Sequence, residues 1–195
     1  MGLWGASDSD ESKPKHFTTA EKKQVFATTA GWVRESGNEN SGNDNTSADP
    51  EVLVAIGDLT VSLGAATITS CEFITTAWDA SAGGTFQVRV RWNEAVDVVV
   101  GGSSLKLNVN STPDGGSATS HTLVYASGTG GNELIFSLAI AGGSPVAADD
   151  VFSIGAQSLV KAGATTVKDA GTETASEVAI TAAQGTATGT ITATA

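Results

Sequence analysis

The histidines, the cysteine and the carboxylates are the residues of this chain that could do chemistry. The 195 residues include only two histidines, His16 and His121, and no Gly-x-Ser-x-Gly element accompanies either of them. A Ser-His-Asp site needs a nucleophile, a base and a group that orients the base, and the sequence offers no such set. The 21 acidic residues fall mostly in turn segments, and no pair stands out for two-carboxylate glycosidase chemistry. We therefore expect no enzyme and no catalytic residues.

Two segments could supply the hard oxygen ligands that calcium prefers. One is residues 43–45 (Asn-Asp-Asn) together with Asp49, and the other is Asp149 with Asp150. Neither has the spacing of an EF-hand loop, and both are typical of solvated turns, so we expect no metal and no cofactor. The single cysteine, Cys71, is expected to be a small buried hydrophobic residue, and alone it forms no disulfide within the chain.

The composition favours a β protein with an acidic surface. Apolar residues make up 40% of the chain and glycine accounts for 23 residues, while Thr, Ala, Ser and Val are abundant. These residues favour strands and turns over helices. The net charge of -11 argues against nucleic acid as a partner, because phosphate binding requires a basic surface. No apolar run is long enough to span a membrane, so we expect no membrane insertion.

Three segments differ in composition. Residues 1–35 are polar with spaced large apolar side chains, and we predict an N-terminal anchoring arm. Residues 36–50 carry no large aliphatic or aromatic side chain and are predicted to be a polar linker. Residues 51–195 are rich in short apolar runs and are predicted to be the folded domain. The first residues have neither a basic region nor an apolar stretch, from which we expect no signal peptide and folding in a cytosol.

Two structures are compatible with the arm. Thr18 precedes Glu21 by three residues, as in a capping box, and a helix from Ala20 to about Phe26 would follow it. The alternative is a hairpin with its turn near residue 30. We prefer the hairpin, because valine, phenylalanine, threonine and tryptophan favour strands.

Large apolar residues are the candidates for contact with a partner. So short an arm buries little apolar surface alone, so its large residues must pack on the neighbouring domain or on another chain. Trp78 lies in a loop where it would either cap the end of the domain or make an exposed contact. The predicted partner-binding residues are Leu3, Trp4, Phe17, Phe26, Trp32 and Trp78.

The segment 51–195 is predicted to be all-β. Residues 86–93 alternate strictly, which predicts a strand with one buried face. Its inward residues would be Phe86, Val88, Val90 and Trp92, and its outward residues Gln87, Arg89, Arg91 and Asn93. Residues 122–126 and 133–140 predict a hairpin. Short strands at short intervals, with no sustained helical period, favour a β-sandwich.

Three phrases of this segment occur in a recognisable order. They are the strand before residues 93–96 (Asn-Glu-Ala-Val), the Gly-rich hairpin with Tyr125 and Asn132, and residues 163–171. Over roughly residues 52–181 the chain resembles the bacterial immunoglobulin-like domains of surface adhesins and phage virion proteins. The resemblance implies an immunoglobulin-like β-sandwich that acts as an adhesive spacer. The segment exceeds the roughly 100 residues of a standard domain, so we expect extra strands or an extended hairpin.

Four phrases open the chain: residues 1–5 (Met-Gly-Leu-Trp-Gly), 11–15 (Glu-Ser-Lys-Pro-Lys), 25–28 (Val-Phe-Ala-Thr) and 31–34 (Gly-Trp-Val-Arg). They resemble the openings of small virion proteins of tailed bacteriophages. The resemblance implies a structural virion protein assembled in the host cytoplasm. We expect a capsid decoration or cement protein whose arm binds the major capsid protein or other virion subunits, with self-association of copies. The alternative is a tail-fibre, baseplate or adhesin-type module that binds a host receptor or glycan.

Overall fold

The computed structural model describes residues 13–37, 43–143 and 145–195. The described chain is all-β, as the sequence predicted, with a few short helices. The helices are α1 Thr19–Lys22, α2 Leu59–Leu63 and α3 Ala182–Ala187. The strands are β1 Val25–Thr28, β2 Gly31–Arg34, β3 Glu51–Ala55, β4 Ile68–Phe73, β5 Trp78–Asp79, β6 Gly83–Val99, β7 Lys106–Thr112, β8 Thr119–Ser127, β9 Gly131–Ala141, β10 Val151–Ser153, β11 Gln157–Ser158, β12 Thr166–Asp169, β13 Ala179–Ile180 and β14 Ile191–Thr194.

The long strand β6 organises the fold. Its first half pairs antiparallel with β9 on one edge and with β4 on the other. The register with β9 shifts between Arg91 and Val96, and from Val96 to Val99 β6 also pairs with β12. One strand of 17 residues therefore contributes to two neighbouring parts of the molecule.

The remaining large strands fold back over β6 to enclose one core. From β9 the sheet continues in the order β9-β8-β7-β10-β14-β5. Phe152 of β10 and Trp78 of β5 then contact Phe86 of β6, with ring centroids 4.5 Å and 5.5 Å apart. Two layers thus face each other, and the predicted inward residues of β6 are all buried in this sandwich-like core. The specific immunoglobulin-like topology stays a prediction.

The N-terminal segment forms a small layer on the sandwich. The preferred hairpin is confirmed, since β1 and β2 pair antiparallel. The capping box of Thr18 and Glu21 also forms, but the helix that it starts is α1, which ends at Lys22 before the hairpin begins. β3 pairs with β2, and both β3 and α2 pack on the hairpin. We call the described residues between 13 and 64 the N-terminal unit. The change in composition at residue 50 therefore lies inside this unit and does not mark its end.

Trp32 is the centre of a second apolar cluster inside the N-terminal unit. Its side chain is fully buried and packs with Val25, Ala27 and Leu59. Half-buried residues close the cluster: Phe17, Leu53, Val54, Ile56 and Leu63. The prediction that Trp32 binds a partner is corrected, because β3 and α2, which follow the linker, cover its side chain within the same chain.

Replacing Trp32 by alanine should lower the free energy of unfolding by about 3–5 kcal/mol, because the small cluster loses its largest member and keeps a cavity. Chemical denaturation followed by far-ultraviolet circular dichroism measures the loss. Val61→Ala in α2 is the matched control, since Val61 is 53% exposed and its truncation should cost about 0.5 kcal/mol or less. Similar losses in the two variants would contradict a second core.

Candidate functional site

Arg91 lies where the N-terminal unit meets the sandwich. The alternation of β6 places its side chain on the face opposite to Val90 and Trp92, outside the sandwich core. We expected that face to be solvated, but Arg91 is only 5% exposed. The expectation fails because the N-terminal unit covers this face of β6. Asn93 is buried on the same strand and accepts a hydrogen bond from the Thr67 N–H at 2.6 Å.

Three carboxylates from three elements surround the Arg91 guanidinium. Its Nε lies 3.2 Å from Oε1 of Glu35, which directly follows β2, and 2.6 Å from Oε1 of Glu133 in β9. Its Nη1 lies 2.5 Å from Oε2 of Glu72 in β4. A single side chain thus joins the hairpin to two strands of the sandwich. Removing one partner of a buried ion pair strongly destabilises a fold, because the other charge is left buried without compensation.

An outer ring of groups completes what we call the Arg91 cluster. Lys23 Nζ lies 3.3 Å from Oε1 of Glu72, and Arg89 Nε lies 3.2 Å from Oε2 of Glu133. Asn132 Nδ2 donates to Oε1 of Glu35 at 2.9 Å. The three cations Lys23, Arg89 and Arg91 balance the three carboxylates, so the junction is close to neutral.

The charges of the Arg91 cluster shift one another's pKa. Burial favours the neutral form of Glu72, but Arg91 and Lys23 outweigh burial and lower the pKa of its carboxyl group. Burial, and next the negative charge of Glu35, raises the pKa of Glu133. Burial also opposes the charge on Arg91, yet the surrounding carboxylates raise its pKa. As the pH falls, Glu133 therefore takes up a proton before Glu72 does.

A groove of about 700 Å³ runs beside the Arg91 cluster, between the N-terminal unit and the sandwich. Its charged lining residues are already paired with one another within the cluster. The Gly-rich turn before β9 also uses its N–H groups internally, since Thr129 donates to Tyr125 Oη and Gly130 donates to the Val96 carbonyl. Groups that satisfy one another hold two parts of a chain together, whereas a catalytic site needs groups aimed at a substrate.

A serine, a histidine and an aspartate also come together, which the sequence analysis missed. Ser111 Oγ and His121 Nε2 lie 2.8 Å apart, and the charge of Asp150 acts on His121. The register of the β7–β8 hairpin around the turn at residues 113–116 was the signal that could have revealed the pair. Ser111 is fully buried, and the Asp150 carboxylate accepts a hydrogen bond from the Ala147 N–H. The group is a buried hydrogen-bonded pair with a nearby carboxylate, not an accessible nucleophile.

The predicted partner-binding residues have different fates. Leu3 and Trp4 lie outside the described residues. Three of the residues are buried within their own chain: Phe26, Trp32 and Trp78. Phe17 is half-buried, and Cζ of Arg34 lies 4.1 Å from the centre of the Phe17 ring. The three buried side chains are therefore not surface anchors in the folded chain, and a partner contact of Phe17 stays a prediction.

The remaining candidates are a metal site, a reactive cysteine and a membrane helix, and they concern the part of the chain that the structure describes. There, no set of three or more His, Cys, Asp or Glu side chains is arranged to hold a metal. Cys71 is buried as predicted, and burial raises the pKa of its thiol to about 12, so it is not a thiolate at neutral pH. None of the described helices has both the length and the apolar character needed to cross a membrane.

Replacing Arg91 by methionine should lower the free energy of unfolding by about 3–5 kcal/mol at pH 7, because three carboxylates then remain together without their shared cation. The loss should shrink as the pH falls and Glu133 becomes protonated. Urea denaturation at two pH values measures both effects. Arg89→Met is the control, because Arg89 lies in the outer ring and its removal should cost about 1 kcal/mol or less. Equal losses of stability in both variants would show that Arg91 contributes no more to the cluster than Arg89 does.

His121 should make the protein less stable in acid. Burial lowers the pKa of His121 and Asp150 only partly opposes this, so the unfolded chain takes up a proton near pH 6.5 that the folded chain resists. The contribution is fully present above pH 6.5 and is lost as the pH falls from there toward the folded pKa. Urea denaturation from pH 8 to pH 5 should show a flatter pH profile for His121→Gln. The profile of His16→Gln, which changes an exposed histidine, should match that of the wild type, and an unchanged slope in His121→Gln would refute the assignment.

Comparison of this chain with models of known protein families, with curated proteins and with solved structures gave no match. The function proposed next therefore rests on the residues and geometry of the chain itself.

Proposed function

We propose that this chain is a non-enzymatic structural protein of a tailed-phage virion, of the capsid decoration or cement type. Residues 1–12, with Leu3 and Trp4, bind the major capsid protein or another virion subunit. The N-terminal unit and the sandwich stand on that attachment as one body. The observation that supports this assignment best is the Arg91 cluster, which joins the segment next to the attachment to the sandwich.

The start of the N-terminal unit is well placed to transmit a load. Lys13 is buried, its Nζ donates to the Lys22 carbonyl at 2.9 Å, and the same Nζ lies 5.9 Å from the centre of a Trp32 ring. A pull on residues 1–12 therefore acts on the second core. From there it passes through Glu35 to Arg91, and through the pairing of Ala27 with Glu94, to the central strand of the sandwich.

The charge distribution agrees with an outward-facing sandwich. Most of the net charge of -11 belongs to residues 51–195, and an acidic surface keeps a projecting domain soluble and keeps neighbouring copies apart. On a capsid lattice, many copies bind side by side, so a modest affinity at each site can stabilise the whole shell.

Binding to purified virion parts tests the proposal. Full-length protein should cosediment with heads of a phage that carries it, and the double variant Leu3→Ala/Trp4→Ala should bind heads at least about tenfold more weakly, because two large apolar side chains are typical of dominant interface residues. Both proteins should have the same melting temperature. The matched control is Val52→Ala/Val61→Ala, which truncates two exposed apolar residues of the N-terminal unit and should leave binding unchanged.

The same experiment separates the alternatives. Unchanged head binding by the Leu3/Trp4 variant would contradict attachment through residues 1–12. Binding to tails or to host cells in place of heads would contradict decoration and favour the tail-fibre or adhesin-type module.

A further inference from the structure

The exposed apolar side chains of the sandwich are grouped on one surface. Among the residues of the sandwich that the structure describes, the large apolar side chains that are exposed are four valines: Val99, Val100, Val124 and Val160. Single exposed apolar residues are normal on a soluble protein, whereas several that lie together mark a contact surface. Whether these valines lie together follows from the pairing of the segments that carry them.

The end of β6 and the segment after it run beside the segment that leads into β12. Val99 pairs with Thr166, and further along the two segments Lys106 and Val160 exchange backbone hydrogen bonds of 2.9 and 3.0 Å. A further bridge between these two pairings keeps the segments side by side. Val124 lies opposite Lys106 in the β7–β8 pair. The four valines therefore lie on one continuous stretch of surface.

Two lysines border these valines. Lys106 is half-buried, and Lys161, which follows Val160, is exposed. Neither forms an ion pair with a carboxylate in the described part of the chain, whereas the other three cations of the sandwich are paired there: Arg89, Arg91 and Lys168. We call the four valines with Lys106 and Lys161 the valine–lysine patch. On a chain with a net charge of -11, such a patch favours a partner that offers both acidic and apolar side chains.

Residues 1–12 have the composition that the valine–lysine patch requires. They contain Leu3 and Trp4, then Asp8, Asp10 and Glu11, and no lysine or arginine. Large apolar side chains suit the apolar centre of an interface, and carboxylates suit a rim that contains lysines. The first residues of the chain therefore match the patch in both charge and apolar character.

The start of the N-terminal unit lies far from the patch of its own chain. Lys13 Nζ is bonded to the Lys22 carbonyl, and the adjacent Lys23 is paired with a carboxylate of β4 that lies opposite Arg89 of β6. Val99 follows Arg89 by ten positions, which is about 33 Å along a strand. The segment before residue 13 would have to be almost fully stretched to place its apolar side chains there, because each residue spans at most about 3.6 Å. The patch of a neighbouring copy sets no such requirement.

We propose that residues 1–12 of one copy bind the valine–lysine patch of a neighbouring copy, with Leu3 and Trp4 on the valines and the acidic side chains that follow them beside Lys106 and Lys161. This contact rests on the proposed function, in which residues 1–12 attach the chain to a virion subunit, and it makes a second copy of this chain that subunit. Each copy offers one segment and one patch, so the contact joins copies head to tail into a ring or an open row. A 12-residue segment also links copies while their acidic surfaces stay apart.

Sedimentation equilibrium of the full chain tests the contact without any capsid. At about 0.15 M NaCl, screening limits the repulsion between acidic copies. The average mass should then rise as the protein concentration increases from about 5 to about 500 µM, the range of a modest affinity. Leu3→Ala/Trp4→Ala should raise the apparent dissociation constant at least about tenfold. A wild-type protein that stays monomeric over the whole range would overturn the proposal.

Matched valine variants locate the surface. Val99→Ala/Val160→Ala truncates two side chains of the patch and should weaken self-association by about tenfold. Val52→Ala/Val61→Ala makes the same truncation at two exposed valines of the N-terminal unit and should leave self-association unchanged. Melting temperatures show that both variants are folded. Equal effects of the two double variants on self-association would overturn the assignment of the patch.

An exchange of charges tests whether the two surfaces meet between copies. Lys106→Glu/Lys161→Glu makes the patch acidic and Asp8→Lys/Asp10→Lys makes the segment basic, so each variant alone should stay monomeric. In an equimolar mixture, segment and patch are again of opposite charge between the two variants, and association should return to within about threefold of the wild-type affinity. A mixture that stays monomeric would overturn the pairing of these two surfaces.

Self-association and head binding are separable. If the isolated wild type stays monomeric but Leu3→Ala/Trp4→Ala loses head binding, residues 1–12 bind another virion subunit, and only the contact between copies is overturned. If copies associate but the wild type does not bind heads, the contact between copies stands and capsid decoration is contradicted.

Discussion

The structure depends on the fact that both faces of one long strand are covered. The inward face of β6 contributes aromatic and aliphatic side chains to the sandwich core, and its outward face carries a guanidinium that is almost fully withdrawn from water. A buried guanidinium is tolerable only with carboxylates around it. Glu72 and Glu133 come from the sandwich, but Glu35 comes from the N-terminal unit. The chemistry of Arg91 therefore requires that unit to be docked.

The predicted N-terminal arm is, from residue 13 onward, part of a unit that packs on the sandwich. The hairpin lies on the outer face of the sandwich, with the Arg91 cluster at one end of β1. Farther along β1, Ala27 pairs with Glu94 of β6 in parallel. Two separated points of attachment resist rotation better than one. Attachment at two points is what the proposed virion role requires, since that role has load pass from residues 1–12 to the sandwich.

Local patterns in the sequence predicted local structure well. Strict alternation located the inward face of β6, the Thr18–Glu21 spacing located a helix start, and the β-branched and aromatic residues of the arm predicted the hairpin. Contacts between distant segments were beyond the reach of such patterns. The burial of Arg91 depends on Glu35, which is 56 positions away along the chain. The burial of Trp32 depends on β3 and α2, beyond a polar linker. Composition predicted that linker, but it could not show that the chain returns to the hairpin after it.

Native-state hydrogen exchange tests most directly the claim that the Arg91 cluster holds the N-terminal unit to the sandwich. The amides of β1 and β2 would be compared between the wild type and Arg91→Met, with the amides of β7 and β8 as internal reference. We predict that exchange in the hairpin accelerates by at least about tenfold more than exchange in the reference strands, because the unit opens without unfolding of the sandwich. Equal acceleration throughout the chain, or none in the hairpin, would contradict the account.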